Sequence, residues 1–346
     1  MNPLEHLYYL SYSWDKARGL KNRKRLPRRV ISLGNITVGG TGKTPAVIAI
    51  AERAKAYGYR PCILTRGYRG KAAGPCFVSK GTGRLLGVDD AGDEAALMAE
   101  RLPDVPVVKG ADRYAAGVFA LHHLDHESLM FILDDGFQHW GLYRDLDILL
   151  VDGSNPFGNR RLLPLGRLRE PLSEIERADV IVITRASRTA PHEGQEKLAS
   201  YRHYDNLINE IRDNNPTAPL FMAEHLPDGF RRLSGAELPG EIVAGKPVVA
   251  FCGIGNPSSF KETLSLLKAD VRRLLAFRDH RVYGRSDLRR ILSVARHHNA
   301  DWIVTTEKDI MKLREFDLPE NLISVRIQLT LPERFYERIF MEADHG

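Results

Sequence analysis

Short runs of apolar, mostly β-branched residues punctuate the chain at Pro61–Thr65, Leu129–Leu133, Leu146–Val151, Val180–Thr184, Pro247–Cys252 and Trp302–Thr305. Arg29-Val-Ile-Ser-Leu-Gly34 has the same character. A strand buried on both faces reads as a continuous apolar run, whereas a strand with one wet face alternates. Between the runs lie stretches with helical spacing, among them Pro45–Tyr57, Asp93–Arg101 and Arg113–His122. Buried strands alternating with helices predict an α/β fold, a mostly parallel sheet with helices on both faces.

At ~150 residues per domain, 346 residues suggest two domains. Prolines and glycines gather between Pro216 and Gly245, where a connection is expected. The expected layout is an N-terminal helix and basic segment over 1–28, a large domain over 29–220, a linker over 221–246 and a smaller α/β domain over 247–346.

Composition narrows the classes. Hydrophobic residues at 43% and charged residues at 27% exclude disorder, collagen and a coiled coil as the main architecture. Cys62, Cys76 and Cys252 form no CxxC pair, so neither a disulfide framework nor structural zinc is expected. No stretch reaches the ~18 apolar residues of a membrane span. The first basic residue, Lys16, follows the N-terminal apolar stretch, the reverse of a secretory leader. The expected place is the cytosol or the cytosolic face of a membrane.

The excess of cations, 50 Lys and Arg over 44 Asp and Glu, matters by its position. Residues 3–14 (PLEHLYYLSYSW) place Leu4, Leu7, Tyr8 and Tyr12 near helical spacing, and Lys16, Arg18, Lys21, Arg23, Lys24, Arg25, Arg28 and Arg29 follow. An aromatic, apolar helix beside clustered cations suits an anionic bilayer surface. The plainer alternative is a helix packed on the protein's own core, followed by a solvated basic loop.

Gly34-Asn-Ile-Thr-Val-Gly39-Gly40-Thr41-Gly42-Lys43-Thr44 joins a strand to a helix, the context of a phosphate-binding P-loop. Backbone N–H groups of Gly39, Gly40, Thr41 and Gly42 and the helix N-terminus would cradle phosphates. Lys43 would neutralise the β/γ oxygens, and Thr44 would hold Mg²⁺. The first position of the usual pattern is Thr37 in place of glycine. Leu129–Leu133 runs into Asp134 and Asp135, carboxylates at a strand end where Mg²⁺ is commonly held. Asp152 ends a similar run and competes more weakly. Asp93 reads, without context, as a helix cap, and Asp279-His280 as either an acid–base or an ordinary loop pair. His122, His123 and His126 read as surface or packing residues. Arg160, Arg161, Arg167 and Arg169 form a basic loop, facing an anionic substrate or merely solvated.

Taken together, Gly34–Pro45, Thr65-Arg-Gly-Tyr68, Gly92-Asp-Glu94, Asp134-Asp-Gly-Phe-Gln-His139, Leu168-Arg-Glu-Pro171, Asp279-His280 and Thr305-Thr-Glu-Lys-Asp309 resemble the tetraacyldisaccharide 4'-kinase family of lipid A biosynthesis. The resemblance runs from the N-terminal helix to about residue 313, and the family's loop also lacks the first glycine. It implies a P-loop kinase domain with a smaller α/β domain, and transfer of the ATP γ-phosphoryl group to the 4'-hydroxyl of a tetraacyldisaccharide 1-phosphate. The product would be lipid IVA, made by a peripheral protein, expected to be a monomer, on the cytoplasmic face of the inner membrane. By the same resemblance Asp93 takes the hydroxyl proton and His280 supports it. Arg113 stands near the phosphates. Asp134, Asp135 and Glu170 surround Mg²⁺, while Asn35, Gln138 and His139 lie around the sugar. The implied cofactors are ATP and Mg²⁺, and the implied partners are the lipid substrate and an anionic membrane. Lys308 lies in the last motif without an assigned role.

Two other classes compete. A membrane-recruited ATPase switch of the partitioning type shares the GGxGKT loop but carries a second lysine where this chain has Val38. A nucleic-acid binder would rest on the basic run alone, with no aromatic-interleaved sheet motif or zinc finger behind it, so no nucleic-acid partner is expected.

Overall fold

The computed structural model describes residues 2–124, 126–186 and 195–341, with the backbone path alone for 195–202. Helix α1 (Pro3–Lys21) precedes β1 (Val30–Gly34), α2 (Lys43–Ala56), β2 (Arg60–Thr65), β3 (Cys76–Lys80), α3 (Val88–Ala91), α4 (Asp93–Arg101), β4 (Pro106–Lys109), α5 (Arg113–Leu124), β5 (Leu129–Asp134), β6 (Leu146–Asp152) and β7 (Val180–Thr184). There follow α6 (Gln195–Asn214), β8 (Leu220–Arg232), β9 (Glu237–Leu238), β10 (Pro247–Cys252), α7 (Pro257–Leu266), β11 (Asp270–Ala276), α8 (Arg285–His297), β12 (Trp302–Thr306), α9 (Glu307–Met311), β13 (Leu322–Thr330) and α10 (Glu333–Phe340).

The strands line up as β11-β10-β12-β13-β8-β7-β6-β1-β5-β2-β4-β3, with β9 on β8. Neighbours are parallel except at β13–β8, β3–β4 and β8–β9. The apolar runs of the sequence are these buried strands, and the pleat divides each of them between two layers. In β5, Met130 and Ile132 join the layer of α2 and α4, while Leu129, Phe131 and Leu133 join that of α5. In β10, Val249 and Phe251 pack toward α8, and Val248, Ala250 and Cys252 toward α7. Helices cover both faces, as the unbroken apolar runs require.

The expected linker is largely strand. Leu220–Ala223 of β8 pair in parallel with β7, and Glu224–Arg232 then pair antiparallel with β13, so one strand belongs to both halves of the sheet. Prolines did not break it because Pro227 sits where the pairing register with β13 shifts. Helix α10 departs from the expected layout too. Phe335, Tyr336, Ile339 and Phe340 pack into the core beneath α2, so the end of the chain returns to the first half.

Helix α1 extends further than the aromatic stretch implied, to Lys21. It meets the body through polar groups: the buried Glu5 carboxylate pairs with Arg161 at 2.8 Å, and the Tyr8 hydroxyl donates to the Arg169 carbonyl at 2.9 Å. Lys16 reaches Glu174 at 2.5 Å. Leu4, Leu7, Leu10 and Trp14 are left exposed. The basic run is partly committed inward, with Arg25 on Asp145 and Arg29 on the Ile339 carbonyl.

Candidate active site

Strand β1 lies centrally and delivers the phosphate loop to the carboxyl edge of the sheet. Thr37 forms an antiparallel bridge with Leu168, and Val38 N–H donates to the Arg167 carbonyl at 2.8 Å. Extended backbone there asks for no glycine, which explains how Thr37 fills the first position. The loop turns left-handed at Gly39 (φ 116°) and at Gly42 (φ 85°), which precedes α2. A Cβ on Gly42 would lie 2.4 Å from His225 Nε2. The Thr41 hydroxyl is buried without a partner. Lys43 Nζ donates to Asn35 Oδ1 at 3.0 Å and lies 3.5 Å from Asp135 Oδ1.

Parallel pairing of β1 with β5 sets Leu33 beside Asp134, so the carboxylate arrives next to the loop by register. Asp134 Oδ2 accepts from the Thr65 hydroxyl at 2.8 Å, while Oδ1 is buried and unpartnered. Burial, then Glu94 and Asp135, push the Asp134 carboxyl up to about 6. Asp135 is the opposite case. Burial raises it, but Lys43 and a two-pronged contact from Arg169, at 3.0 and 2.8 Å, hold it well below the carboxylate range. A buried, charged site that separates two adjacent carboxyls in this way is typical of functional sites.

Two of the expected ligands are already engaged by neighbouring groups. Asn35, expected at the sugar, is wholly buried behind the loop; its amide donates to the Thr37 carbonyl at 2.7 Å and its oxygen receives Lys43 and Arg169. It holds the lysine from behind the loop. Glu170, expected at Mg²⁺, is also wholly buried, and its oxygens are taken by Gln138 and Arg177, with the Tyr12 hydroxyl at 3.4 Å. A carboxylate so engaged organises its neighbours. Asp152 likewise pairs with Arg185 and caps Ser154, which removes it as a competitor for the metal. In the basic loop, Arg160 pairs with Glu210 and Arg161 with Glu5, whereas Arg167 donates to the Val38 carbonyl and Arg169 reaches Asp135.

Asp93 opens α4 with Gly92 as its cap residue, and its Oδ1 accepts from Glu94 N–H at 3.0 Å. Its Oδ2 receives His280 Nδ1 at 2.9 Å and lies 3.4 Å from Lys312 Nζ. His280 comes from 187 residues away in sequence, and Lys312 from further still. Burial raises the Asp93 carboxyl, but the His280 hydrogen bond and the Lys308 and Lys312 charges outweigh it and hold it well below the usual range. His280 is left-handed (φ 55°), as are Asp135 (50°) and Arg185 (55°). Strained non-glycine residues clustered at one edge are a mark of an active site. Tyr68 meets the His280 ring edge-on at 5.5 Å and lines a cavity of about 450 Å³ with Arg66, Arg69, Lys109 and Ala111. Arg113 is buried at the start of α5, donates to the Ala111 carbonyl at 2.7 Å, and leaves Nε without a partner. Gln138 donates to the Asn35 carbonyl at 2.9 Å, and its Oε1 is unpartnered. Burial lowers His139 to about 4, which keeps its ring neutral at pH 7.

Three residues escaped the sequence. Arg185 and His225 flank the loop, and both His225 ring nitrogens are buried without partners. Burial, then Arg185, lower that imidazole to about 3. His225 lies in the stretch read as linker and carried no signal. Lys312 follows Lys308 at helical spacing, a signal that was available.

The whole assembly matches known proteins. The family model described as tetraacyldisaccharide-1-P 4'-kinase (LpxK) matches residues 1–343. A tetraacyldisaccharide 4'-kinase of Syntrophus aciditrophicus is 39% identical over 333 residues, covering 94% of this chain and 86% of that one. Another, of Anaeromyxobacter dehalogenans, is 41% identical over 296 residues, covering 86% and 75%. The crystal structure of LpxK from Aquifex aeolicus described as an "apo" form in complex with ATP aligns with a TM-score of 0.74 at 33% identity, covering 98% of this chain and 96% of that one. The chain belongs to the tetraacyldisaccharide-1-P 4'-kinase family.

Proposed function

We propose that this protein transfers the γ-phosphoryl group of ATP to the 4'-hydroxyl of a tetraacyldisaccharide 1-phosphate, forming lipid IVA. The observation that carries this reading is the meeting of Asp93 and His280, from distant segments, at 2.9 Å beside the phosphate loop. Phosphoryl transfer is mostly positioning and charge neutralisation, and the residues divide that work. The loop N–H groups of Gly39 to Gly42, with the Thr41 hydroxyl, receive phosphate oxygens, and Lys43 offsets their charge. Arg113 contributes positive charge near Asp134 and Asp135. Asp93 accepts the 4'-hydroxyl proton, and His280 fixes which oxygen does so. The cavity is lined by Tyr68, whose ring meets that imidazole, which supports it as the place of the sugar, with Gln138 and His139 as further polar contacts.

The unpartnered Asp134 Oδ1 and the hydroxyl of Thr44 in the first turn of α2 fit a hard cation. Thr44, Asp134 and Asp135 would hold Mg²⁺, which when bound neutralises charge on the phosphates.

No helix of the described residues is long and apolar enough to cross a membrane. The exposed Leu4, Leu7, Leu10 and Trp14, with Arg18 and Lys21 near them, support peripheral attachment to an anionic surface. That attachment, on the cytoplasmic face of the inner membrane by a monomer, brings the site to an acylated acceptor. The test is γ-labelled ATP with pure protein, Mg²⁺ and tetraacyldisaccharide 1-phosphate in mixed micelles. Label in the lipid is expected. Label released solely as inorganic phosphate would point to an ATPase switch.

A further inference from the structure

The Thr305–Asp309 segment takes no part in the phosphate site, yet its geometry leads to Asp93. The Asp309 side chain is wholly buried, and its Oδ2 accepts from Gly253 N–H at 2.8 Å and from the Thr306 hydroxyl at 2.7 Å. Its Oδ1 receives Lys312 Nζ at 3.3 Å, and the same ammonium lies 3.4 Å from Asp93 Oδ2. The Gly253 carbonyl meanwhile accepts from His280 N–H at 3.2 Å. Both groups facing Asp93 Oδ2 are therefore tethered to Gly253 at the end of β10, His280 directly and Lys312 through Asp309. Beside them Lys308 pairs with Glu94, and Arg101 with Glu307 at 2.9 Å, fastening the rest of α4 along α9.

We propose that Lys312 is a positioning residue for the reaction: bridging Asp309 and Asp93, it aims the Asp93 carboxylate and sets it in register with His280. This rests on the reading of Asp93 as the proton acceptor. Asp93 is the first residue of α4, and the local backbone holds only its Oδ1, through the Glu94 N–H, which leaves Oδ2 to be aimed by other groups. The charged groups facing it are Glu94 on its own helix, Lys308, Asp309 and Lys312 at α9, and His280 with Asp279 after β11. Of these Lys312 is the one that touches both Asp93 and a wholly buried anchor. An ammonium confined between two carboxylates gives directional hold without supplying a proton to the reaction, and a misplacement of about 1 Å costs on the order of 100-fold in turnover.

The test is a double-mutant cycle on the full chain, with kcat and both KM values measured in mixed micelles. Lys312→Met should lower kcat by about 100-fold while KM for ATP stays within about twofold. Lys312→Arg, which keeps the cation, should recover most of that loss. In an Asp93→Asn background, Lys312→Met should cost less than about threefold more, since its effect passes through Asp93. Asp309→Asn retains an acceptor for Gly253 and Thr306 but loosens the lysine, and should lower kcat by about 10-fold. This variant decides the matter if Lys312→Met fails to fold. Equal losses from Lys312→Met in both backgrounds, no loss at all, or an arginine variant as poor as the methionine one would overturn the proposal. Near-normal turnover by Asp93→Asn alone would instead remove the reading on which it rests.

Discussion

Asp134 is held at a cost that can be measured. Its carboxyl, ordinarily at 3.8, is pushed up to about 6 by burial, Glu94 and Asp135. A shift of about two units is worth about 3 kcal/mol. The sign follows from linkage. Below the unfolded value both states are protonated and nothing is lost; as pH rises through 3.8 the unfolded chain ionises first, and above 6 the folded state carries the full penalty. Asp134→Asn removes the charge and keeps an acceptor for the Thr65 hydroxyl. It should stabilise the protein by about 1 kcal/mol at pH 4.5 and about 3 kcal/mol at pH 8 in urea unfolding without Mg²⁺ or nucleotide. The same variant should lose phosphoryl transfer, the trade expected where a site is strained for function. A gain of equal size at both pH values, or a loss of stability at pH 8, would refute the electrostatic account of this residue.

Lys43→Ala should lower label transfer to lipid by at least about 1,000-fold, because it removes the ammonium that opens α2 at the phosphate loop; near-normal turnover would refute the phosphate-loop assignment. Gly42→Ala meets both a left-handed backbone and the His225 ring at 2.4 Å, so KM for ATP should rise more than about 10-fold with KM for lipid unchanged. Adding His225→Ala should restore part of the affinity by removing the clash and leaving the strain. Replacing exposed Leu7 and Trp14 together by serine should weaken binding to anionic vesicles about 30- to 1,000-fold, at about 1–2 kcal/mol per side chain, while ATP binding and the urea midpoint stay put. Unchanged vesicle binding would exclude α1 as the attachment.

Local pattern made the outline of this protein legible. Runs such as Leu129–Leu133 could only be strands covered on both faces, because no solvent-facing strand tolerates five apolar residues in sequence. The glycines and Lys43 announced a phosphate loop, and Asp134 a strand-end carboxylate, since each rests on neighbours a few residues away. The family motifs added Asp93 and His280, which local chemistry alone left as a cap and a loop pair. What the chain could not announce depends on which atoms meet across long separations. Asn35 and Glu170 look like ligands by type, yet Lys43 and Arg169 claim one and Arg177 and Gln138 the other. The prolines and glycines around 216–245 imply a linker, but β13 supplies a ladder for Glu224–Arg232 and turns it into the strand that carries His225 to the loop. Local sequence determined the elements and the residue types at their ends, because propensity and pleat act over a few residues. Tertiary structure alone decided which carboxylates stay free for chemistry and which are consumed by pairing, because a charge's role is set by the partners that folding brings within hydrogen-bond reach.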